Sequence, residues 1–308
     1  MTVRVLVDVP STADETRWRS ALAAAYPEGE WLADDANDVD VLVAWRPRAD
    51  RFVRTRVRRA IFNLGAGVDA LLALPTLPFD VPVYRLTDAG MAEQMAQYAT
   101  AAVLRAFREL DAYAAQQRDG VWRARPPRDK ATFGIAVLGL GVLGRAVVDA
   151  LRPFGFALHG WARTPASLPG VTVHAGPDAL RDCLAEAAVC ICLLPSTPDT
   201  RDLLDATRLA WLPRGAHLVN LARGELVVDA DLVALLDAGH LAGATLDVFR
   251  TEPLPAGHPF WHHPAITITP HVSAATLHEA SAAQVADGIR ALAAGREPPG
   301  RVDRVHGY

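Results

Sequence analysis

The sequence predicts an α/β fold made of two Rossmann-like domains with parallel sheets. Short apolar segments alternate along the chain with Ala-rich or polar stretches of helical composition. Strands that alternate with helices are typical of parallel sheets covered by helices. The 308 residues are enough for about two domains. A Pro- and charge-rich stretch, WRARPPRDK, separates two such series.

The first series begins with MTVRVLVDVP, which predicts a strand over 3–8 rather than a signal peptide. It has neither a basic start nor a long apolar run. Glu15–Tyr26 has helical composition, as does the Pro-free stretch Ala89–Arg118. The other apolar segments predict strands at VDVLVAW (39–45), RAIFNLG (59–65) and VPVYRL (81–86).

The second series begins at Phe133 and contains seven apolar segments separated mostly by helical stretches. They are FGIAVLGLG, FALHGW, VTVHA, VCICLLP, AHLVNLA, GATLDVF and AITITP. A helix predicted around Ala274–Ala293 can return to the first unit. We therefore predict a substrate-binding domain of 1–88 plus 275–308 and a dinucleotide-binding domain of 89–274.

The composition excludes several classes of function. The net charge of −4 offers no basic excess for a nucleic-acid backbone. No apolar run reaches the roughly 18–20 residues of a membrane span. Cys190 and Cys192 alternate within one apolar strand, and no cysteine pair has a metal or redox spacing. We expect a cytoplasmic protein without a metal site. Because Lys130 is the only lysine, a P-loop or a Schiff-base lysine is improbable.

The second series opens with a glycine motif, VLGLGVLGRAV. Gly139, Gly141 and Gly144 form G-x-G-x-x-G directly after a predicted strand and at the start of a predicted helix. The first glycine permits the tight turn, the second lets the backbone approach a pyrophosphate, and the third allows close helix packing. The helix N-terminus offers amide donors to the phosphates. The motif therefore predicts a dinucleotide site.

The end of the next strand bears on the choice of dinucleotide. An acidic residue normally stands there and binds the ribose 2′-OH, but this chain has Ala162, followed by Arg163 and Thr164. A small apolar residue followed by a cation suits a 2′-phosphate. The turn predicts NADP(H), although a solvated loop arginine remains the alternative interpretation of Arg163.

Three later strands each end near a side chain suited to reducing a carbonyl group. His271 follows AITITP and precedes a helix, and histidine is the natural proton donor near pH 7. Glu252 lies beyond the preceding strand, and a carboxylate bonded to an imidazole fixes its tautomer. Arg223 lies past the strand before that and can bind a carboxylate with two hydrogen bonds, or simply face solvent. The spacing alone leaves both readings open.

At these residues the sequence resembles the D-isomer-specific 2-hydroxyacid dehydrogenases over nearly its whole length. GLGVLG, LLPSTPDT, NLARGELV, LDVFRTEPLP and TPHVSA follow the motifs of that family in order. GAGVD, DAGM and the C-terminal VDR…GY resemble its glyoxylate/hydroxypyruvate reductase branch. The resemblance implies that Arg223, Glu252 and His271 are the catalytic set. It also implies an active site in the cleft between the two domains, and a homodimer built through the cofactor domain.

The resemblance implies further site residues. The substrate carboxylate would be bound by backbone amides of the Leu64–Gly67 loop, at Ala66 and Gly67 beside Gly65, although an ordinary turn is the alternative. Trp45 would line the pocket and Trp122 would reach the partner's site, unless they are packing residues. Asp247 would meet the nicotinamide carboxamide. The remaining expected cofactor contacts lie in the family motifs: Val142, Leu143, Leu194, Pro195, Thr197, Pro198, Leu221 and Ala222.

The sequence thus predicts an enzyme that reduces small 2-oxo acids with NADPH, with His271 as general acid. Glyoxylate would give glycolate, and hydroxypyruvate would give D-glycerate. The family branch carries further basic residues where this chain has Pro165 and Ala166, so a moderate preference is expected, with NADH usable. The alternatives are another D-2-hydroxyacid dehydrogenase, such as a phosphoglycerate type, a formate type or a broad 2-ketoacid reductase, and a dinucleotide-sensing corepressor. No regulatory C-terminal domain or partner-binding appendage is expected for this chain.

Overall fold

A computed structural model describes residues 2–308 and divides the chain into two compact units. Unit 1 contains Met1–Met91 and Thr276–Tyr308, and unit 2 contains Ala92–Ala275. Each unit has one parallel sheet with helices, so the predicted class of two parallel-sheet α/β domains is confirmed. No helix among the described residues is long and apolar enough to span a membrane.

The sheet of unit 1 has five parallel strands in the order β2-β1-β3-β4-β5. The strands are β1 (Arg4–Asp8), β2 (Glu30–Trp31), β3 (Asp38–Ala44), β4 (Arg56–Asn63) and β5 (Val83–Arg85). The two-residue strand β2 was not predicted, because two residues show no alternation. Leu6, Leu42 and Ile61 are fully buried in the core of this sheet. The carboxyl ends of β3 and β4 carry Trp45 and the Leu64–Gly67 loop.

Four helices belong to unit 1. They are α1 (Thr12–Ala25), α2 (Arg51–Arg54), α3 (Asp69–Leu72) and the C-terminal helix, which spans His278–Ala293 and is named α10 below. Trp18 of α1 packs on His278, with ring centroids 4.3 Å apart. The predicted return of the C-terminal helix to the first unit is therefore observed, and the helix begins four residues later than Ala274.

The sheet of unit 2 has seven parallel strands in the order β12-β11-β10-β9-β6-β7-β8. The strands are β6 (Ile135–Leu138), β7 (Leu158–Ala162), β8 (Thr172–Ala175), β9 (Val189–Cys192), β10 (Ala216–Asn220), β11 (Leu241–Leu246) and β12 (Ile266–Ile268). The first strand of this unit, β6, lies between β7 and β9. The strand order reverses there, and doubly wound sheets bind ligands beyond the carboxyl ends of the strands at such a point.

The helices of unit 2 are α4 (Met91–Phe107), α5 (Leu110–Arg118), α6 (Val142–Leu151), α7 (Leu180–Ala185), α8 (Ala206–Leu209) and α9 (Asp229–Asp237). The predicted helical stretch Ala89–Arg118 is thus two helices rather than one. Glu109 separates them because its backbone is left-handed, with φ 53°. Its carboxylate binds Arg125 at 2.8 Å and Arg128 at 3.1 Å, so long-range ion pairs stabilise the break.

The three cysteines are buried in unit 2. Burial raises the pKa of the Cys183 and Cys192 thiols to about 12, so neither is a thiolate at neutral pH. These residues serve as small core side chains, as the sequence predicts. Among residues 2–308, no group of three or more His, Cys, Asp or Glu side chains is arranged to hold a metal ion.

Candidate active site

The glycine turn follows β6 and shows why two of its glycines are required. Gly139 has φ 101°, and a Cβ atom there would lie 2.8 Å from the carbonyl oxygen of Leu193. A Cβ atom at Gly144 would lie 1.8 Å from the carbonyl oxygen of Gly139. The third glycine therefore permits the first turn of α6 to pack on the glycine turn itself.

Gly141 differs from the other two because it faces open space. It is exposed and is the N-cap of α6, and a Cβ atom added to it would meet nothing within 4 Å. A glycine has no side chain that could accept hydrogen bonds from the first backbone amides of the helix. These amides can therefore donate to a ligand anion. Val142 is 47% exposed beside it, and Leu143 is half-buried. This exposed N-terminus of α6 fits the pyrophosphate of a dinucleotide.

The turn expected to choose between the dinucleotides follows β7, the neighbour of β6. Strand β7 ends at Ala162, whose carbonyl accepts a hydrogen bond from the Gly176 amide at 3.0 Å. Ala162 is half-buried, while Arg163 and Thr164 are exposed. The structure thus places these three residues at the carboxyl edge of the sheet.

The other predicted cofactor residues follow β9 and β10. Leu194 is buried, Pro195 and Thr197 are half-buried and Pro198 is exposed. Thr200 shapes this loop: its hydroxyl donates to the Pro195 carbonyl at 2.6 Å and accepts from the Thr197 amide at 2.9 Å. The sequence analysis did not single out Thr200, although it belongs to the family motif LLPSTPDT.

Leu221 and Ala222 follow β10 and are both buried. Asn220, at the end of β10, accepts a hydrogen bond from the Ala222 amide at 3.2 Å and donates to the Arg223 carbonyl at 2.9 Å. Asn220 was also missed. It is the first residue of the family motif NLARGELV, and this position is the only signal that the sequence offers.

Arg223 lies in the turn after β10 with an extended backbone and a half-buried side chain. Its Nη1 atom donates to the Ala222 carbonyl at 2.7 Å. The glycine that follows it is needed for contact with another loop. A Cβ atom at Gly224 would lie 1.9 Å from the carbonyl carbon of Phe249, so the two backbones touch. This contact brings the Arg223 turn against the loop that carries Glu252.

Glu252 and His271 form a hydrogen-bonded pair. The Nδ1 atom of His271 lies 2.8 Å from Oε2 of Glu252, while Oε1 accepts a hydrogen bond from the Phe249 amide at 3.0 Å. The His271 side chain is 38% exposed, and that of Glu252 is 24% exposed. The carboxylate therefore binds the imidazole on one side and its own loop on the other, which leaves Nε2 of His271 for a ligand.

Asp247 holds the backbone around His271. It is fully buried after β11, and its carboxylate accepts from the Thr269 hydroxyl at 2.6 Å, the Val272 amide at 2.9 Å and the Ser273 amide at 2.8 Å. Its carbonyl accepts from the His271 amide at 2.8 Å. These bonds support the left-handed backbone of His271, with φ 56°. The sequence analysis assigned Asp247 only a cofactor contact.

The Leu64–Gly67 loop of unit 1 is organised by Asn63. The Nδ2 atom of this buried side chain donates to the carbonyls of Gly65 at 3.0 Å and Gly67 at 2.9 Å. Leu64 is buried, and its amide donates to the Ala44 carbonyl. Ala66 and Gly67 are half-buried. The two bonds from Asn63 fix the conformation of the loop that contains these residues.

Trp45 packs on this loop. A Cβ atom at Gly65 would lie 2.3 Å from the Trp45 ring, so a larger residue there would require the ring to move. The ring is half-buried, and the Arg46 guanidinium lies 5.7 Å from its centroid. Trp122 is fully exposed in unit 2, in the Pro-rich stretch.

Three other histidines, which lie within strands, have local partners. His217 is buried with its Nε2 atom 2.9 Å from the Thr245 hydroxyl, and burial lowers its pKa to about 4. His159 and His174 face each other at 3.4 Å, and burial lowers the pKa of His159.

Comparison with known proteins places this chain in a family. Residues 100–273, more than half of the 308, match the family model described as "D-isomer specific 2-hydroxyacid dehydrogenase, NAD binding domain". The chain belongs to the D-isomer specific 2-hydroxyacid dehydrogenases. The resemblance drawn from the sequence motifs is confirmed, and the protein is an oxidoreductase with a nicotinamide-dinucleotide domain.

Two curated members of this dehydrogenase family are similar over almost the whole chain. A protein of Yersinia enterocolitica named glyoxylate/hydroxypyruvate reductase A is 42% identical over 300 residues, which cover 95% of this chain and 96% of that protein. A protein of the same name from Serratia proteamaculans is 44% identical over 299 residues, with coverages of 94% and 96%.

Solved structures of the family are also similar. A D-isomer specific 2-hydroxyacid dehydrogenase from Xanthobacter autotrophicus, in complex with NADPH and MES, has a TM-score of 0.93 at 40% identity. An NADPH-dependent glyoxylate/hydroxypyruvate reductase from Sinorhizobium meliloti, in complex with NADP and sulfate, has a TM-score of 0.93 at 32% identity. Both comparisons cover 100% of each chain.

Proposed function

We propose that this dehydrogenase reduces small 2-oxo acids with NADPH, glyoxylate to glycolate and hydroxypyruvate to D-glycerate. The observation that carries the proposal is the hydrogen-bonded pair of His271 and Glu252 beside the Arg223 turn, at the carboxyl edge of a dinucleotide-binding sheet. The names of the relatives from Yersinia, Serratia and Sinorhizobium support this substrate class.

A bound NADPH would supply the hydride that reduces C2 of the substrate. Gly139, Gly141 and Gly144 would hold its pyrophosphate at the N-terminus of α6, and Arg163 and Thr164 its 2′-phosphate. Asp247 would use its remaining acceptor site for the expected carboxamide contact. A carboxylate has about four acceptor sites, and three of them are taken by the Thr269 hydroxyl and the Val272 and Ser273 amides.

His271 donates the proton in this proposal. Glu252 accepts from Nδ1, so the protonated ring presents its Nε2–H to the substrate oxygen as the alkoxide forms. Because Glu252 is itself bonded to the Phe249 amide, the imidazole keeps one orientation through the reaction.

Arg223 would bind the substrate carboxylate and polarise the carbonyl group that becomes the alkoxide. The loop amides of Ala66 and Gly67, oriented by Asn63, would also bind a carboxylate. Trp45 would line that loop.

The cofactor preference follows from the turn after β7. Ala162 cannot accept hydrogen bonds from a free ribose 2′-OH through its side chain, whereas Arg163 offers donors to a phosphate. The NADPH and NADP in the Xanthobacter and Sinorhizobium structures support this choice. NADH would be usable at higher concentration.

The proposed assembly is a homodimer formed through unit 2. Leu110, Val121 and Trp122 expose apolar surface on the α5 and Pro-rich segments. Exposed aromatic and aliphatic side chains favour burial in an interface. Sedimentation of the purified protein at micromolar concentration tests this, and a monomer would overturn it.

A steady-state assay tests the function. Purified protein is given glyoxylate, hydroxypyruvate, pyruvate and phosphohydroxypyruvate, each with NADPH and with NADH. We expect the highest kcat/KM for glyoxylate or hydroxypyruvate with NADPH. A preference for the phosphorylated acid would favour a phosphoglycerate-type enzyme. No turnover with any acid, despite tight NADPH binding, would favour the corepressor alternative.

A further inference from the structure

The segment 269–275, which carries His271, is hydrogen-bonded to helix α4 at both of its ends. The Tyr98 hydroxyl lies 2.5 Å from the Thr269 hydroxyl. The Gln94 side chain donates to the Ala275 carbonyl at 3.0 Å and accepts from the Ala275 amide at 3.2 Å. Gln94 and Tyr98 are four residues apart and therefore lie on the same face of α4.

The direction of the hydrogen bonds at Thr269 follows from its single proton. The Asp247 carboxylate only accepts, so the Thr269 hydroxyl donates to it at 2.6 Å. The proton between Thr269 and Tyr98 must then come from the tyrosine. The chain runs from Tyr98 to Thr269 to Asp247, and each bond in such a chain polarises the next.

The far end of this chain is the backbone that presents His271. The Asp247 atom that accepts from Thr269, Oδ1, also accepts from the Val272 amide, and Oδ2 accepts from the Ser273 amide. His271, which lies between Thr269 and Val272 in the sequence, has a left-handed backbone with φ 56°. A residue other than glycine adopts this conformation only when its surroundings hold it there.

We propose that Tyr98 is a positioning residue for the proton donor, acting through Thr269 and Asp247 to hold the His271 backbone and aim its imidazole. This inference rests on the proposed function, because it takes His271 as the general acid. Tyr98 touches neither substrate nor cofactor in this account. Gln94 holds the opposite end of the segment, so α4 sets the position of the acid from both sides.

The local chemistry of Tyr98 suits this role. Its side chain is half-buried in unit 2, and burial raises the pKa of its phenol, so it remains a hydrogen-bond donor at neutral pH. Thr269 lies directly after β12 and Asp247 directly after β11, and these strands pair in parallel. Tyr98 is thus the helix-borne member of a network whose other members are fixed by the sheet.

The test is Tyr98→Phe, which removes only the hydroxyl. We expect the single-turnover rate of hydride transfer and kcat to fall roughly three- to tenfold, the effect of one lost hydrogen bond. The Kd for NADPH should stay within about twofold of the wild-type value, because the substitution removes no contact to the cofactor. Tyr26→Phe, at a buried tyrosine in unit 1, is the matched control and should leave the rates unchanged.

Variants of Thr269 test whether Tyr98 acts on His271 through Thr269. Thr269→Ser keeps the hydroxyl and should retain most activity, whereas Thr269→Val breaks the chain and should lose more than Tyr98→Phe alone. Adding Tyr98→Phe to Thr269→Val should cause little further loss, because the two act in series. If Tyr98→Phe does not fold, the contrast between the Thr269 variants and their binding of NADPH decides the question instead.

Two outcomes would overturn the inference: an unchanged hydride-transfer rate in Tyr98→Phe, or full additivity with Thr269→Val. His271→Gln in the same assay separates this from the proposed function. If His271→Gln retains normal turnover, the proposed function fails. If it loses turnover while Tyr98→Phe behaves as the wild type, only the inference about Tyr98 fails.

Discussion

Oε2 of Glu252 lies 2.8 Å from Nδ1 of His271, and this distance sets the role of both residues. One ring nitrogen is bound to a carboxylate, so the other is the one that can reach a substrate oxygen. His271 is also held in a left-handed backbone by Asp247, which directs the ring without occupying Nε2. The first prediction follows from this pair.

His271→Gln should lower kcat by roughly 10²–10⁴, the usual contribution of a general acid, because glutamine cannot donate a proton. NADPH binding, measured by fluorescence quenching, should be nearly unchanged. His262→Gln changes an exposed histidine before Pro264 and is the control. Normal turnover in His271→Gln with hydride transfer rate-limiting would exclude His271 as the acid.

Arg223→Lys keeps the positive charge but loses the planar guanidinium group, which can bind a carboxylate with two hydrogen bonds. The KM for glyoxylate should rise and kcat should fall, with kcat/KM lower by roughly ten- to a hundredfold, because one charge-assisted hydrogen bond is lost. Steady-state kinetics with saturating NADPH measure this. A value of kcat/KM equal to that of the wild type would mean that Arg223 does not contact substrate.

Cofactor choice depends on the turn after β7. Arg163→Ala should remove most of the preference for NADPH, which we expect to be roughly ten- to a hundredfold from one arginine–phosphate contact. Its kinetics with NADH should be unchanged. Ala162→Asp should reverse the preference, because the carboxylate binds a 2′-OH and repels a phosphate. The ratio of kcat/KM with the two cofactors measures both, and a wild-type enzyme that favours NADH would contradict the assignment.

The glycine turn allows a contrast between two single substitutions. Gly144→Ala places a Cβ atom 1.8 Å from a backbone oxygen and should reduce the free energy of unfolding by more than about 2 kcal/mol. Gly141→Ala meets open space, so its free energy of unfolding should change by less than about 1 kcal/mol.

The two glycine variants should also differ in cofactor binding. The Kd of Gly141→Ala for NADPH should rise by roughly tenfold or more, about 1.4 kcal/mol, because the methyl group keeps the backbone from the pyrophosphate. Urea unfolding without cofactor and calorimetric titration with NADPH separate the two effects. Equal stability of the two variants would show that the Gly144 contact relaxes.

Stability should fall in weak acid because of His217. Its pKa is lowered from 6.5 to about 4 in the folded protein, so the unfolded chain binds the proton more readily between these values. The stability contribution is present above pH 6.5 and is lost as the pH falls towards 4. The expected loss is about 2 kcal/mol between pH 7 and pH 5. His159 shifts in the same direction.

Urea unfolding of the wild type and of His217→Gln at both pH values measures this contribution. The variant should lose less stability on acidification than the wild type, by about the amount given above. His262→Gln again serves as the control. An identical pH dependence in the wild type and in His217→Gln would show that another group is responsible.

The candidate catalytic residues could be predicted because the sequence places each of them in the segment that follows a strand. Arg223, Glu252 and His271 follow β10, β11 and β12, and parallel strands present their carboxyl ends at one edge of the sheet. The glycine motif was equally visible, since its spacing reflects a strand, a turn and a helix in succession. Local sequence therefore determined the fold class and the order of the site residues along the sheet.

The contacts that orient those residues were decided only by the tertiary structure. Gly224 touches the Phe249 backbone, and Tyr98 reaches Thr269 across 171 residues of sequence. Such contacts depend on the rotation of a helix about its axis and on how closely two loops approach, and neither leaves a periodic pattern in the sequence. The sequence alone determined which side chains reach the edge of the sheet. The packing of α4 and of the loops determined how His271 is aimed.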